Sequence, residues 1–160
     1  MAREDEPRNE EFQTREYWDK RYASEPAEED FDWFKTYAEL KDLFDEIIPS
    51  REKSKILMLG CGNSTLTSEM IADGYKNITN LDYSDILIQK MKARFPDQDW
   101  RTMDVRELKE NANQLGGKES WDIVLDKGTM DALMAERGSV WDPSEIVRTN
   151  VKREIDGVLQ

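Results

Sequence analysis

Four short stretches of this sequence carry groups that could meet a ligand: Gly60-Cys61-Gly62-Asn63-Ser64, Asp82-Tyr83, Asp104-Val105 and Asp126-Lys127. Each closes a short, largely apolar run. The glycine loop lets backbone come close to a bound molecule. It is not a dinucleotide fingerprint, because Thr65 stands where the third glycine belongs, and no Gly-Lys-Ser/Thr phosphate loop is present. Asp82 follows at the distance where a carboxylate can accept hydrogen bonds from both ribose hydroxyls. Asp104 could accept from an adenine amino group while the Val105 amide donates to the ring. Taken singly these residues also read as a strand–helix turn, a helix-capping carboxylate and a turn-forming aspartate. Taken together they fit an adenosine held without phosphate contacts, which points to S-adenosylmethionine.

The elements that must position these groups alternate between strand and helix. Lys55 to Leu59 is apolar like a strand buried on both faces. Thr65 to Asp73 reads as a short helix ended by Gly74. Asn77 to Leu81 is a second strand, followed by a helix capped by Ser84 with Leu87, Ile88, Met91 and Phe95 on its inner face. Asp99 to Met103 and Trp121 to Leu125 are the third and fourth strands. Asp142, Pro143 and Glu145 mark the start of a last helix, striped by Val147, Val151, Ile155 and Val158. Ahead of the first strand, Arg15 to Tyr22 and Trp33 to Ile48 are helical, the second carrying Trp33, Tyr37, Leu40, Phe44 and Ile47/Ile48 on one face. Residues 1–12 are polar and predict a disordered tail. Residues 13–160 form one domain, with N-terminal helices over 13–48 and the alternating core over 54–160. The alternation predicts an α/β fold with a parallel sheet and a ligand site at the carboxyl ends of the strands.

Composition narrows the chemistry. The 160 residues include 36% charged side chains and a net charge of −12, which argues against nonspecific nucleic-acid binding and an anionic membrane surface. Such a surface suits a basic protein partner, or solubility alone. With no histidine and a single cysteine, Cys61, a zinc site, a Ser-His triad and an internal disulfide are poor fits. No apolar run is long enough to span a bilayer, and the charged N-terminus lacks a signal core. The expected location is cytosolic or nuclear, the cytoplasm first.

The motifs place the chain beside a known family. Tyr17-Trp18-Asp19-Lys20-Arg21-Tyr22, Asp32-Trp33-Phe34, Leu59 to Ser64, Asp82-Tyr83-Ser84, Met103-Asp104-Val105 and Asp126 to Leu133 resemble the class I S-adenosylmethionine-dependent methyltransferases. Within them the chain is similar to the small group containing elongation factor 1-alpha lysine methyltransferase 4 and the N-terminal half of the dual elongation factor 1-alpha methyltransferase. Most class I enzymes carry an acidic residue two positions before the first loop glycine; here Met58 stands there, as in this smaller group. The resemblance implies a three-layer, Rossmann-like α/β/α fold with parallel strands in the order 3-2-1-4. It also implies cofactor binding by Gly60, Asp82, Tyr83, Asp104 and Val105, with Gly62, Asn63, Asp126 and Lys127 at the same strand ends. Trp18, Tyr22 and Trp33 would cover the cofactor, since a sulfonium is drawn to aromatic faces and needs a dry pocket; core packing is the plain alternative for these rings.

The implied reaction is in-line methyl transfer from sulfur to a nucleophile, on a protein lysine of an elongation factor 1-alpha-like substrate. The protein's share is mainly alignment and removal of water. A lysine must first lose its proton, and Asp126 and Asp131 are the candidate carboxylates, although Asp126 could instead orient the loop after it. The resembled fold continues beyond Leu159-Gln160 with a Gly-rich turn and further strands, so the fourth strand becomes an exposed apolar edge. A fragment, a short form that dimerises through that edge, and a cofactor-binding but non-catalytic interaction module are the resulting expectations. A nicotinamide oxidoreductase and a small-molecule methyltransferase are the competing enzymes.

Overall fold

The computed structural model describes residues 7–139 and 141–159. Its centre is a sheet of four parallel strands: β1 (Lys55–Leu59), β2 (Asn77–Asp82), β3 (Asp99–Thr102) and β4 (Ile123–Asp126), in the order β3-β2-β1-β4. The pleat sorts β1 by parity. Ile56 and Met58 face one layer and Leu57 and Leu59 the other, all at most 4% exposed.

The first layer holds α1 (Arg15–Ser24), α2 (Tyr37–Ile47), α3 (Leu66–Ala72) and α4 (Asp85–Arg94). Its core joins Tyr22, Phe44, Met70, Leu87, Ile88 and Met91 to Ile56, Met58 and Trp100 of the sheet. The opposite layer holds α5 (Thr129–Leu133), α6 (Glu145–Val158) and two 3-10 turns, which bury Val105, Leu108, Leu115 and Leu133 against Leu57, Leu59 and Leu81. The expected three-layer α/β/α architecture and strand order are therefore present. β4 pairs only with β1 among the described residues, and Ile123, Val124 and Leu125 along it are half-buried.

Several local expectations change. Trp33 to Thr36 precede α2 rather than opening it. The helix starts at Tyr37 because Thr36 and Glu39 form a reciprocal capping box, which ends the chain's extended run there. Likewise Ser144, not Asp142, caps α6: its hydroxyl accepts from the Val147 N–H at 3.3 Å. Asp142 pairs instead with Arg148 at 2.6 Å. Of the apolar stripe on α6 only Val147 is fully buried, and the same helix buries Glu154, which the stripe did not foresee. Residues 1–6 of the expected tail lie outside the described residues. Asn9–Gln13, expected to belong largely to that tail, is a 3-10 turn whose Phe12 packs edge-on against Tyr17 and Trp33.

Candidate cofactor pocket at the strand ends

The pocket begins with two glycines. Gly60 and Gly62 both have φ of +55°, a left-handed backbone that side chains resist. At Gly60 the demand is also steric: a Cβ would collide with Thr129 Oγ1 and lie 2.8 Å from Thr129 Cβ. Thr129 belongs there because its hydroxyl donates to the Leu59 carbonyl at 3.1 Å. Thus the missing side chain at Gly60 lets the first turn of α5 close down on the end of β1. At Gly62 a Cβ would come within 3.3 Å of the Tyr22 hydroxyl. Cys61 between them is buried, and burial pushes its thiol above the usual range.

Asp82 sits 5% exposed at the end of β2 and ties the loop together. One oxygen accepts from the Gly62 N–H at 3.1 Å, the other from the Ser84 N–H at 2.9 Å. Burial pushes its carboxyl up to about 6, against the lowering effect of these two bonds. A carboxylate offers about four lone-pair positions, so Asp82 keeps acceptor capacity toward the pocket while holding the loop. Its alternative reading, a helix-capping carboxylate, is met in part by the bond from the Ser84 N–H, and that bond leaves the ligand-acceptor reading open. Ser84 caps α4 as expected, accepting from the Leu87 N–H at 3.3 Å.

Asp104 is engaged differently. Its carboxylate accepts from Arg106 Nε at 2.9 Å and Nη2 at 2.5 Å, and from the Arg106 backbone N–H at 2.9 Å. Burial works against its charge, yet the Arg106 guanidinium holds the carboxyl below the ordinary range. A ligand amino group would have to share this acceptor with Arg106. Val105 beside it is buried, and Tyr83 lines the same end of the pocket.

The aromatic wall comes from the N-terminal segment. Trp18 stacks on Tyr22 with ring centres 5.7 Å apart at 29°, and its indole N–H donates to the Phe12 carbonyl at 2.8 Å. Trp33 meets Trp18 edge-on at 6.3 Å and Phe31 at 4.9 Å. A cation of the chain itself already lies against this wall. The Arg21 guanidinium is 5.5 Å from the Trp18 ring centre, 5.1 Å from Phe31 and 5.7 Å from Trp33, and pairs with Glu25 at 2.7 Å. The N-terminal segment is also tied to the chain after α5 by Gln13, whose side-chain amide donates to the Ala135 carbonyl at 2.8 Å.

A strap of polar bonds draws residues 25–36 across the glycine loop. Asn63 donates to Glu25 at 3.2 Å and to the Glu29 carbonyl at 3.1 Å, and its own carbonyl accepts from the Phe31 N–H at 3.2 Å. Asp32 accepts from the Ser64 hydroxyl, from Thr65 at 3.0 Å and from Lys127 Nζ at 3.1 Å. Burial opposes the Asp32 charge, but the Ser64 and Lys127 bonds hold its carboxyl below the usual range. Lys127 completes the latch by donating to the Trp33 carbonyl at 2.9 Å. The Asn63 amide nitrogen and Lys127 Nζ, both expected among ligand-contacting groups, are engaged by this strap while the two residues line the pocket.

The turn that follows is strained. Phe34 has φ of +64°, and the Lys35 N–H bonds back to the Trp33 carbonyl at 2.8 Å. This three-residue turn is rare, and a left-handed non-glycine residue costs about 1–3 kcal/mol.

Trp18, Tyr22, Trp33, Gly60, Gly62, Asn63, Asp82, Tyr83, Asp104, Val105 and Lys127 all line one pocket. Asp126 does not. Its carboxylate faces α5, accepting from the Thr129 N–H at 3.0 Å and the Met130 N–H at 3.1 Å, so it orients the loop and helix after β4. Asp131 does line the pocket, and no hydrogen bond or ion pair engages it among the described residues. Reading the sequence missed Phe12, Phe31 and Arg106 as lining residues; nothing in their spacing marks them. Asp32 and Thr129 lay inside runs noted for their family resemblance, without a role attached.

No family model matches this sequence. Among curated proteins, it is 36% identical to mouse EEF1A lysine methyltransferase 4 over 141 residues, covering 86% of this chain and 52% of that protein. It is 37% identical to the cattle protein of the same name over 150 residues, covering 90% of this chain and 56% of the relative. Against mouse eEF1A lysine and N-terminal methyltransferase, identity is 32% over 157 residues, 94% of this chain but 20% of the relative. The resemblance drawn from the motifs thus extends along nearly the whole sequence. The chain spans about half the length of the EEF1A lysine methyltransferase 4 relatives.

Proposed function

We propose that the chain is an S-adenosylmethionine-dependent methyltransferase acting on a protein lysine, with an elongation factor 1-alpha-like protein as substrate. The observation that carries this reading is the convergence at one pocket of the glycine loop, buried Asp82 and the Asp104-Val105 strand end beneath an aromatic wall. The residues present fit the cofactor. Buried Asp82 retains acceptor capacity for ribose hydroxyls, Asp104 and Val105 line the same pocket and would meet an adenine edge with Asp104 shared by Arg106, and the loop offers backbone in place of a phosphate-binding lysine. When bound, the cofactor supplies an already activated methyl group. The chain's own residues would then do the rest. Phe12, Trp18, Tyr22 and Trp33 exclude water, and the Asp32–Lys127 latch keeps the cover shut. Asp131 offers the unengaged carboxylate that would attract a lysine ammonium and take up its proton; Asp126 is occupied with capping α5. The net charge of −12 favours encounter with a basic protein. No helix among the described residues is long and apolar enough to cross a membrane, and a cytoplasmic setting fits a substrate of the translation machinery.

The test has two stages. Calorimetry with S-adenosylmethionine and S-adenosylhomocysteine should show binding that competes between the two. Mass spectrometry of cell-extract proteins incubated with the chain and isotope-labelled cofactor should then find labelled methyl groups on lysine. Lack of cofactor binding overturns the reading; binding without transfer leaves a cofactor-binding interaction module instead.

A further inference from the structure

Phe34 combines two features that folding does not reward. Its side chain is 68% exposed, so it recovers little hydrophobic stabilisation, and its backbone is left-handed, where glycine would sit without strain. The surrounding contacts nevertheless hold it there from both sides. Upstream, Asp32 is fastened to Ser64, Thr65 and Lys127, and Lys127 also grips the Trp33 carbonyl. Downstream, the Thr36–Glu39 capping box sets the first turn of α2. A strained residue that its neighbours hold this firmly is placed for its side chain.

That side chain lies at the rim of the pocket. Its ring rests over Gly128, where a Cβ would come within 3.3 Å of Phe34 Cε2. Gly128 and Asp131 line the same pocket as Phe34, and Asp131 carries the carboxylate left unengaged among the described residues. An aromatic ring and an unengaged carboxylate lining one pocket suit one kind of side chain: a long methylene stem ending in an ammonium. We infer that Phe34 is a positioning residue that clamps the stem of the acceptor lysine and aims its nitrogen into the pocket past Asp131. The inference rests on the proposed lysine methyltransferase activity and adds to it the surface that would align the acceptor. It also accounts for the strain, since a glycine at this position would relax the turn and remove the ring together.

The experiment compares the full chain with F34G and F34Y, using recombinant elongation factor 1-alpha as acceptor and S-adenosylhomocysteine calorimetry as the cofactor readout. F34G is expected to melt no lower than the unsubstituted chain and to bind S-adenosylhomocysteine within about twofold of it. Its KM for the acceptor should rise about tenfold, the worth of one aromatic contact to a cationic side chain, with KM for S-adenosylmethionine unchanged. F34Y, which keeps the ring, should restore the acceptor KM. An unchanged acceptor KM in F34G overturns the inference, as does an F34Y variant as impaired as F34G. If the unsubstituted chain binds cofactor but methylates no lysine, the lysine methyltransferase reading fails and takes this inference with it; a failure confined to Phe34 is seen only when that chain is active.

Discussion

Lys127→Met isolates what the strap across the glycine loop is worth. The Lys127 ammonium bonds Asp32 at 3.1 Å and the Trp33 carbonyl at 2.9 Å, with its side chain 15% exposed and that of Asp32 13% exposed. Methionine keeps most of the stem and removes both bonds. Charge-assisted bonds of this kind contribute about 1.5 kcal/mol each when taken at the low end, or about 3 kcal/mol together. Asp32 keeps Ser64 and Thr65 as donors, so it is not stranded and the cost stays near that sum. A loss of about 3 kcal/mol raises the open population of the strap by roughly a hundredfold. The amides that report it are Phe31, bonded to the Asn63 carbonyl at 3.2 Å, and Lys35, bonded to the Trp33 carbonyl at 2.8 Å. Native-state hydrogen exchange should therefore quicken by roughly a hundredfold at both, while amides inside α4 keep their rates. Exchange within about threefold of the unsubstituted chain would refute the latch. A fall in S-adenosylhomocysteine affinity without faster exchange would show instead that Lys127 touches the ligand directly.

Two further outcomes follow from the same geometry. Glu154 is 1% exposed, and burial, then a hydrogen bond from its protonated form to the Asp126 carboxylate and the charges of Asp126 and Asp104, push its carboxyl up to about 8. The unfolded chain releases that proton near the ordinary value of about 4.3, so stability is lost as pH rises from there to about 8 and is flat beyond. E154Q should match the unsubstituted chain near pH 4 and exceed it at pH 8 by on the order of 5 kcal/mol, roughly 10–20 °C in melting temperature; a pH-independent difference would contradict the buried neutral carboxyl. G60A should lose at least about 2 kcal/mol from left-handed strain and overlap with Thr129, and with it S-adenosylhomocysteine binding, as α5 is pushed off the pocket. Melting at the unsubstituted temperature would refute that steric argument.

Periodic features were the legible ones. The parity of Ile56, Leu57, Met58 and Leu59, the Ser84 cap and the alternation of strand with helix depend on neighbours along the chain, and the parallel sheet and pocket location followed from them, whereas the strand order came from the family resemblance. Even so, Asp142-Pro143 looked like a better helix start than Ser144, because capping residues compete locally and only the packed helix selects one. Trp33 had the right spacing for α2 but belongs to the strap, where contacts with Trp18 and Phe31 outweigh helical propensity.

By itself the sequence determined which groups stand at the strand ends, since one short motif per strand suffices to put them there. The tertiary structure alone decided how each group is used. Asp126 and Asp131 are five residues apart and chemically alike, yet one caps α5 and the other stays unengaged at the pocket. Lys127 latches Asp32, which lies 95 positions earlier in the chain. A side chain's chemical type is local, and so are some of its partners, but one such as Lys127, which consumes the charge of Asp32, is brought from elsewhere in the chain by folding.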